Sequence, residues 1–375
     1  MNRTHQIFFA VLAAALLLPG CASPLFHPAT DERWLLPGHA LSAPVGPAPK
    51  GRPLRVAVYG DSQGNRTAQR AVLRGIRASR PDLVIFEGDA IGCLPTGHMP
   101  DLGPAACLIP VWPQIQRDHP AIGLLTLLPF PALLHELLLS AWYPPRDPDG
   151  WNMFLEETAG LRLVDRTPFL FVPGNHDLYH TFDRNEIARF TGAADPHVLW
   201  RAVDAGKWRF VLLDSGNDLW GDEDLLAEGG DQLRWLEATL SDAEARGLRS
   251  IVSLHYPPFT SVEEDPPLPG SLNRVEPILK KHGVALVLSG HAHVYERIES
   301  GPLTHIATGG SGGRFHTLDP ERREPGSKSF IPNEWHFVLL ELGEKEIRGR
   351  MVPVHPVAEP PGAETSDEFV VPLTK

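Results

Sequence analysis

Apolar residues along this chain fall into short unbroken runs separated by longer amphipathic stretches. The runs Leu54–Tyr59, Leu83–Phe86, Phe169–Val172, Ile251–Leu254 and Val284–Leu288 are four to six residues long and dominated by Val, Ile, Leu and Phe. Runs of that length and makeup read as strands buried on both faces, and the amphipathic segments between them as helices laid on a sheet. Their alternation predicts an α/β fold.

The N-terminus follows a different pattern. Met1–Gln6 carry one positive charge, at Arg3, and Ile7–Leu18 form an apolar run of about 12 residues, the hydrophobic region of a secretory signal. That run is short for a membrane span. It ends Leu18-Pro19-Gly20-Cys21, which resembles the lipobox of bacterial lipoproteins, in which the cysteine is acylated and becomes the mature N-terminus. Residues 1–20 are therefore expected to be removed and Cys21 to anchor the protein to a membrane of the cell envelope. An ordinary cleaved signal is the alternative. Ala22, in place of an aspartate, leans the location toward the outer membrane. Residues 21–53, rich in Pro, Gly and Ala, read as a flexible tether. The folded body is expected over 54–355, followed by a tail at 356–375.

Composition narrows the function. The chain has 375 residues, of which 42% are hydrophobic and 21% charged, an ordinary globular mixture. Against 34 Lys+Arg stand 46 Asp+Glu, a formal charge of −12, which disfavours nucleic acid or anionic lipid as a partner held by net charge. Removing residues 1–20 deletes only Arg3, so the acidic excess belongs to the mature chain. Three cysteines are too few for a disulfide scaffold. With Cys21 acylated, Cys93 and Cys107 are left to pair in an oxidising compartment, two buried thiols being the alternative.

The chemistry lies at the ends of the apolar runs. They finish in Gly60-Asp61-Ser62-Gln63, Gly88-Asp89, Gly174-Asn175-His176-Asp177, His255-Tyr256-Pro257-Pro258 and Gly290-His291-Ala292-His293. Each alone is weak, since an Asp after a Gly is commonly a turn residue and Asn-His-Asp can cap a helix. Ligands of open α/β sheets gather at the carboxyl ends of strands, so five such endings are expected to meet in one crevice. Oxygen and imidazole donors together suit a transition-metal site.

In order and wording these blocks resemble the calcineurin-like metallophosphoesterase superfamily, over roughly Leu54–Val354. The ending from Gly290 to Arg297, with His255-Tyr256-Pro257-Pro258, is most similar to the purple acid phosphatase branch. The resemblance implies an α/β (α+β) sandwich: two mixed β-sheets packed face to face, flanked by helices, with a binuclear metal site at the carboxyl ends of the strands. It also implies closing strands of the second sheet at Trp335–Leu340 and Glu346–Val352. Asp89 would bridge two ions, Mn, Fe or Zn. Asp61 and His293 would complete the first position, and Asn175, His255 and His291 the second. Two carboxylates against two divalent ions leave about +2, enough to draw a phosphate into an acidic protein.

Two departures stand out. Gln63 occupies a place where many relatives carry a histidine ligand, and Gly92 stands where purple acid phosphatases carry a tyrosine. Gln63 is expected either to ligate through its amide oxygen or to hydrogen-bond a metal-bound water. His176 is the expected catalytic contact to phosphate or leaving group, with Asp177 as a second catalytic residue orienting its imidazole. The Gly-rich run Gly309–Gly313 after the strand-like Leu303–Ala307 is expected to border the site, with no P-loop lysine following. Arg297 reads as structural.

Between Asp89 and Asn175 lie 85 residues, more than a compact crossover needs. Within this insertion, placed at 93–168, Ala121–Tyr143 is nearly all apolar. It reads as a cap over the catalytic edge or as a surface touching the bilayer. The sequence thus predicts a metal-dependent hydrolase of phosphoester bonds acting on a phosphorylated small molecule or lipid. A pyrophosphate or lipid-linked phosphate hydrolase, and a non-catalytic lipoprotein keeping the fold, are the alternatives.

Overall fold

A computed structural model of the chain describes residues 45–46, 48–92, 148–160, 167–178, 181–216, 226, 229–262, 271–316, 323–355 and 366–373. Apart from Pro148 these belong to one compact unit, Pro37–Pro100 with Asp149–Lys375. Cys21, Cys93, Cys107, the signal region and the apolar stretch 121–143 lie outside the described residues.

Two mixed sheets form the frame. The first contains β1 (Leu54–Tyr59), β2 (Leu83–Phe86), β3 (Phe169–Phe171), β11 (His336–Leu342), β12 (Glu346–Pro353) and β13 (Glu368–Pro372), in the order β13-β12-β11-β1-β2-β3. The second contains β4 (Arg201–Ala205), β5 (Trp208–Leu212), β6 (Arg249–Ser253), β7 (Leu286–Ser289), β8 (Tyr295–Ser300), β9 (Leu303–Thr308) and β10 (Ser327–Ile331), in the order β10-β8-β9-β7-β6-β5-β4. In each, a parallel block (β1-β2-β3 and β5-β6-β7-β9) is flanked by antiparallel strands.

The apolar runs supply both faces of these strands. Val56, Val58, Ile85 and Leu170 pack between the sheets against Phe210, Leu212, Ile251, Leu286, Leu288 and Ile306. The alternate residues face outward. Val211, Val252 and Val287 meet Leu233, Leu236 and Leu240 of helix α4 (Asp231–Ala245) and Val275 and Leu279 of α5 (Ser271–Lys281). On the first sheet, Tyr59, Phe86, Phe169 and Phe171 form an aromatic cluster with Trp151 and Phe154 of α2 (Pro148–Gly160) and Phe190 of α3 (Thr181–Thr191). Helix α1 (Arg66–Ser79) starts at Asn65, whose side chain accepts the Ala68 N–H.

Three sequence expectations are corrected. Trp335–Leu340 and Glu346–Val352 close the first sheet, because β11 pairs with β1 and β12 with β11. The expected tail holds strand β13, and Asp367 just before it receives the Tyr295 hydroxyl at 2.8 Å and the Arg297 Nε at 2.7 Å. Arg297 is thus structural, tying the chain end to β8. At the other end, Val45 packs against the inter-sheet core, so the folded body takes in chain before Leu54.

Candidate metal centre

Backbone geometry singles out the site before side chains do. Among the described residues, the non-glycine positions with positive φ are Asp61, Gln63, Arg80, Asp89, His291 and Asn333. Four of those six belong to the strand-end blocks. Left-handed backbone at such residues costs on the order of 1–3 kcal/mol each and persists where the surroundings over-determine it. Here the surroundings are loops laced together: Asp61 N–H donates to Gly88 O at 2.8 Å, Gln63 N–H to Asp89 O at 3.0 Å and Gly290 N–H to His255 O at 3.1 Å.

The expected donors meet. Asp61, Asp89 and His293 offer donor atoms all within 4.8 Å of one another. On the other side of Asp89, Asn175 Oδ1 lies 2.9 Å from His255 Nε2 and 3.1 Å from His291 Nδ1, and His255 Nε2 is 3.3 Å from Asp89 Oδ1. Strands β1, β2 and β3 of one sheet and β6 and β7 of the other deliver these groups from their carboxyl ends. Close approach demands glycine at the corners. A Cβ on Gly88 would sit 2.7 Å from His255 Nδ1, and one on Gly290 2.6 Å from Asp61 Oδ2.

Chemistry agrees with cation binding. Asp61 and Asp89 are buried carboxylates, and their ion pairs among the described residues are with histidines. Buried carboxylates need compensating charge, and oxygen with imidazole donors suits transition metals. Outer contacts fix the ring tautomers. His255 Nδ1 donates to Glu87 O at 2.6 Å and His293 Nδ1 to Arg314 O at 2.6 Å, turning each Nε2 toward the cluster.

Burial by itself lowers the His255 imidazole, but the Asp89 charge and hydrogen bond, with Asp61 and the Glu87 carbonyl, push it up to about 10. Burial by itself raises the Asp89 carboxyl, while His255, His176 and His291 hold it well below the ordinary carboxylate range. A cation entering here therefore displaces protons from imidazole.

Gln63 reaches the cluster. Its Nε2 donates to Asp89 Oδ2 at 3.2 Å and lies 3.1 Å from His293 Nε2. Gly92 lies against the Gln63 main chain, since a Cβ there would come within 3.0 Å of Gln63 O. His176 is at the rim, half-buried, with its N–H donating to Asp89 Oδ1 at 2.9 Å and its Nε2 3.7 Å from Asp89 Oδ2.

Asp177 is engaged through its carboxylate by main-chain amides rather than by the imidazole it was expected to orient. Its carboxylate is fully buried and accepts backbone N–H groups of Gly174 and Asp89 on Oδ2 and of Ala90 and Ile91 on Oδ1, at 2.8 to 3.4 Å. It pins the Asp89 loop to the Asn175 loop and is a positioning residue. The Gly-rich loop likewise braces the site: Ser311 N–H and Oγ donate to Gly60 O, Gly313 N–H to Asp61 O and Asn65 Nδ2 to Gly312 O.

Glu87 escaped the sequence reading. Its buried carboxyl accepts Ser253 Oγ at 2.9 Å beneath the cluster, and burial pushes it up to about 8. An acid directly after the apolar run Leu83–Phe86 and before Gly88-Asp89 was its signal.

A two-sheet sandwich carrying aspartate, asparagine and histidine donors at converging strand ends defines a metal-dependent phosphoesterase architecture. A model of calcineurin-like phosphoesterases matches residues 54–295, well over half of the chain, and the chain belongs to that family. It is 24% identical over 226 residues to purple acid phosphatase 23 of Arabidopsis thaliana, covering 53% of this chain and 45% of that protein. It is 25% identical over 181 residues to a probable cyclic nucleotide phosphodiesterase of Synechococcus sp. (strain WH7803), covering 48% and 65%. The chain thus spans less than two thirds of the length of these curated relatives.

Among solved structures, purple acid phosphatase PPD1 from yellow lupin (Lupinus luteus) seeds matches with a TM-score of 0.56 at 14% identity, covering 88% of this chain and 55% of that one. GAP50, the anchor in the inner membrane complex of Plasmodium, matches with a TM-score of 0.51 at 16% identity, covering 86% and 90%. These two show the shared fold. The family implies divalent metal ions as cofactors and phosphorylated substrates.

Proposed function

We propose that this protein hydrolyses phosphoester bonds at a centre of two metal ions. The observation that carries the reading is the gathering of Asp61, Asn175, His255, His291 and His293 around Asp89, from five strand ends in two sheets. Asp61, His293 and Asp89, with Gln63 beside them, would hold the first ion. Asp89, Asn175, His255 and His291 would hold the second. When bound, such ions supply Lewis-acid stabilisation of phosphoryl oxygens and a nucleophile derived from water near neutral pH.

The protein's own part is positioning and charge. The amide clamp of Asp177 and the left-handed turns at Asp61 and Asp89 hold the donors in place before substrate arrives. His176 lies at the rim, where its imidazole would contact the phosphoryl group or protonate the departing oxygen. The probable phosphodiesterase among the relatives favours a diester as a second substrate class beside the monoester.

Purified protein supplied with Mn²⁺ or Fe is expected to hydrolyse an aryl phosphate mono- or diester. Asn175→Ala and His255→Ala should each lower the rate by orders of magnitude with the fold intact. Full activity in both variants and after exhaustive chelation overturns the proposal. A parallel panel with pyrophosphate and a lipid-linked phosphate assigns the substrate class.

The N-terminal pattern supports export and anchoring through acylated Cys21. Mass spectrometry of the mature N-terminus should find a diacylglyceryl cysteine at residue 21. An unmodified N-terminus at any other residue defeats the anchor.

A further inference from the structure

The loop after β9 carries a histidine that the chemistry above does not use. The His316 ring stacks on the His293 ring, with centroids 4.2 Å apart and planes 19° from parallel. Its Nδ1 lies 3.2 Å from the His293 backbone nitrogen and accepts that N–H. Two residues earlier, Arg314 O accepts a hydrogen bond from His293 Nδ1–H at 2.6 Å. One residue before that, a Cβ on Gly313 would lie 2.5 to 2.8 Å from three atoms of the His293 ring. One short loop segment, from Gly313 to His316, thus grips one imidazole by its ring nitrogen, its face and its main chain. Nδ1 of His316 accepts, so the neutral His316 ring carries its proton on Nε2.

The need for such a grip follows from the donor count. The second position has two imidazoles, His255 and His291, facing Asn175. The first has one, because residue 63 is glutamine where many relatives carry a histidine. A position with a single nitrogen donor depends on that donor's orientation more than one with two. With its ring at this angle, His293 Nε2 stands 3.5 Å from Asp61 Oδ1.

We infer that His316 is a positioning residue for the first metal ion, its stacked, N–H-accepting ring holding His293 where a second imidazole is lacking. The inference rests on the two-ion reading. It predicts that the ring at residue 316 and the side chain at residue 63 act on the same ion.

Mn²⁺ titration of the purified full chain after chelation, followed by calorimetry and by the spin-coupled Mn²⁺ signal in electron paramagnetic resonance, tests it. His316→Ala is expected to weaken one of two binding steps by roughly 10- to 100-fold, the usual effect of losing an outer partner of a ligand, and to leave the other unchanged. His316→Phe keeps a ring on His293 without the acceptor, preserves packing, and should lose less. In a Gln63→His background the His316→Ala loss should shrink, which a merely structural role would not produce.

Unchanged affinities in both His316 variants, or equal weakening of both steps, overturn the inference and leave the two-ion reading standing. A loss from His316→Ala as large in the Gln63→His background as in the native chain overturns it too. A wild-type chain that binds no Mn²⁺ overturns the two-ion reading, and this inference with it.

Discussion

On one side of Asp89 stand Asp61 and His293 with Gln63 beside them; on the other stand Asn175, His255 and His291. Counting the shared Asp89, the first side offers two carboxylates and one imidazole, the second one carboxylate, two imidazoles and an amide. The charge therefore lies to one side. Hard oxygen donors of high charge favour a hard or trivalent cation, while imidazole-rich surroundings suit a softer divalent one. The two sides also differ in how they are held. His255 is fully buried between strand ends, whereas His293 depends on the loop that contains Arg314 and His316. The side that departs from the family pattern is the side braced by loop rather than by sheet.

Asp89→Asn should have the largest effect, since it strips charge from both sides. Turnover is expected to fall by roughly 10³-fold or more, at the upper end of what one electrostatic group supplies, with both metals lost on dialysis. Retention of one tightly bound ion would show that Asp89 serves a single side. Next come His255→Ala and His293→Ala, each expected to remove one metal equivalent by elemental analysis. If either removes both, the sides are not independent.

Asp177→Ala leaves four backbone N–H groups without their acceptor. It is expected to lower stability by about 3 kcal/mol or more in urea titrations, with weakened metal binding on both sides. Asp177→Asn, which keeps an acceptor oxygen, should recover part of this. Gln63→His should tighten only the first side, by about tenfold, read as a shift in one step of a Mn²⁺ titration.

A separate effect is on stability against pH after chelation. His255 is raised from 6.5 to about 10, so its contribution is complete below about pH 6.5 and is lost as pH climbs toward 10. Asp89 is lowered from 3.8, so its contribution is present above that value and is lost as pH falls through its depressed value. The melting temperature of chelated protein should therefore decline from pH 6.5 to 10, and His255→Gln should flatten the decline. Because the entering cation displaces the His255 proton, Mn²⁺ affinity should rise over the same interval.

Much of the site was legible because each donor follows an apolar run within a few residues. A strand buried on both faces announces itself as a continuous run, and a short strand-end turn leaves its polar residues little room to go elsewhere. Strands β4, β5, β8, β10 and β13 were not read from the sequence, although β5 is buried along its whole length. Arg201–Ala205 and Ser327–Ile331 are largely half-buried and mix charged or polar with apolar residues, and Glu368–Pro372 is a short edge strand. Asp177 shows the other limit. Its neighbour His176 suggested that it orients that imidazole, while its oxygens turned out to hold amides 86 to 88 residues away in sequence.

The sequence by itself determined which residues could bind metal, that they would lie at strand ends, and that the chain falls in the phosphoesterase family. Only the tertiary structure decided that β11 and β12 join the first sheet, that Asp177 clamps two loops, and that His316 lies flat on His293. The reason is physical: composition and spacing set what a residue can do within its own element. Which backbone amide or ring it meets depends on how distant elements pack, and no local pattern carries that distance.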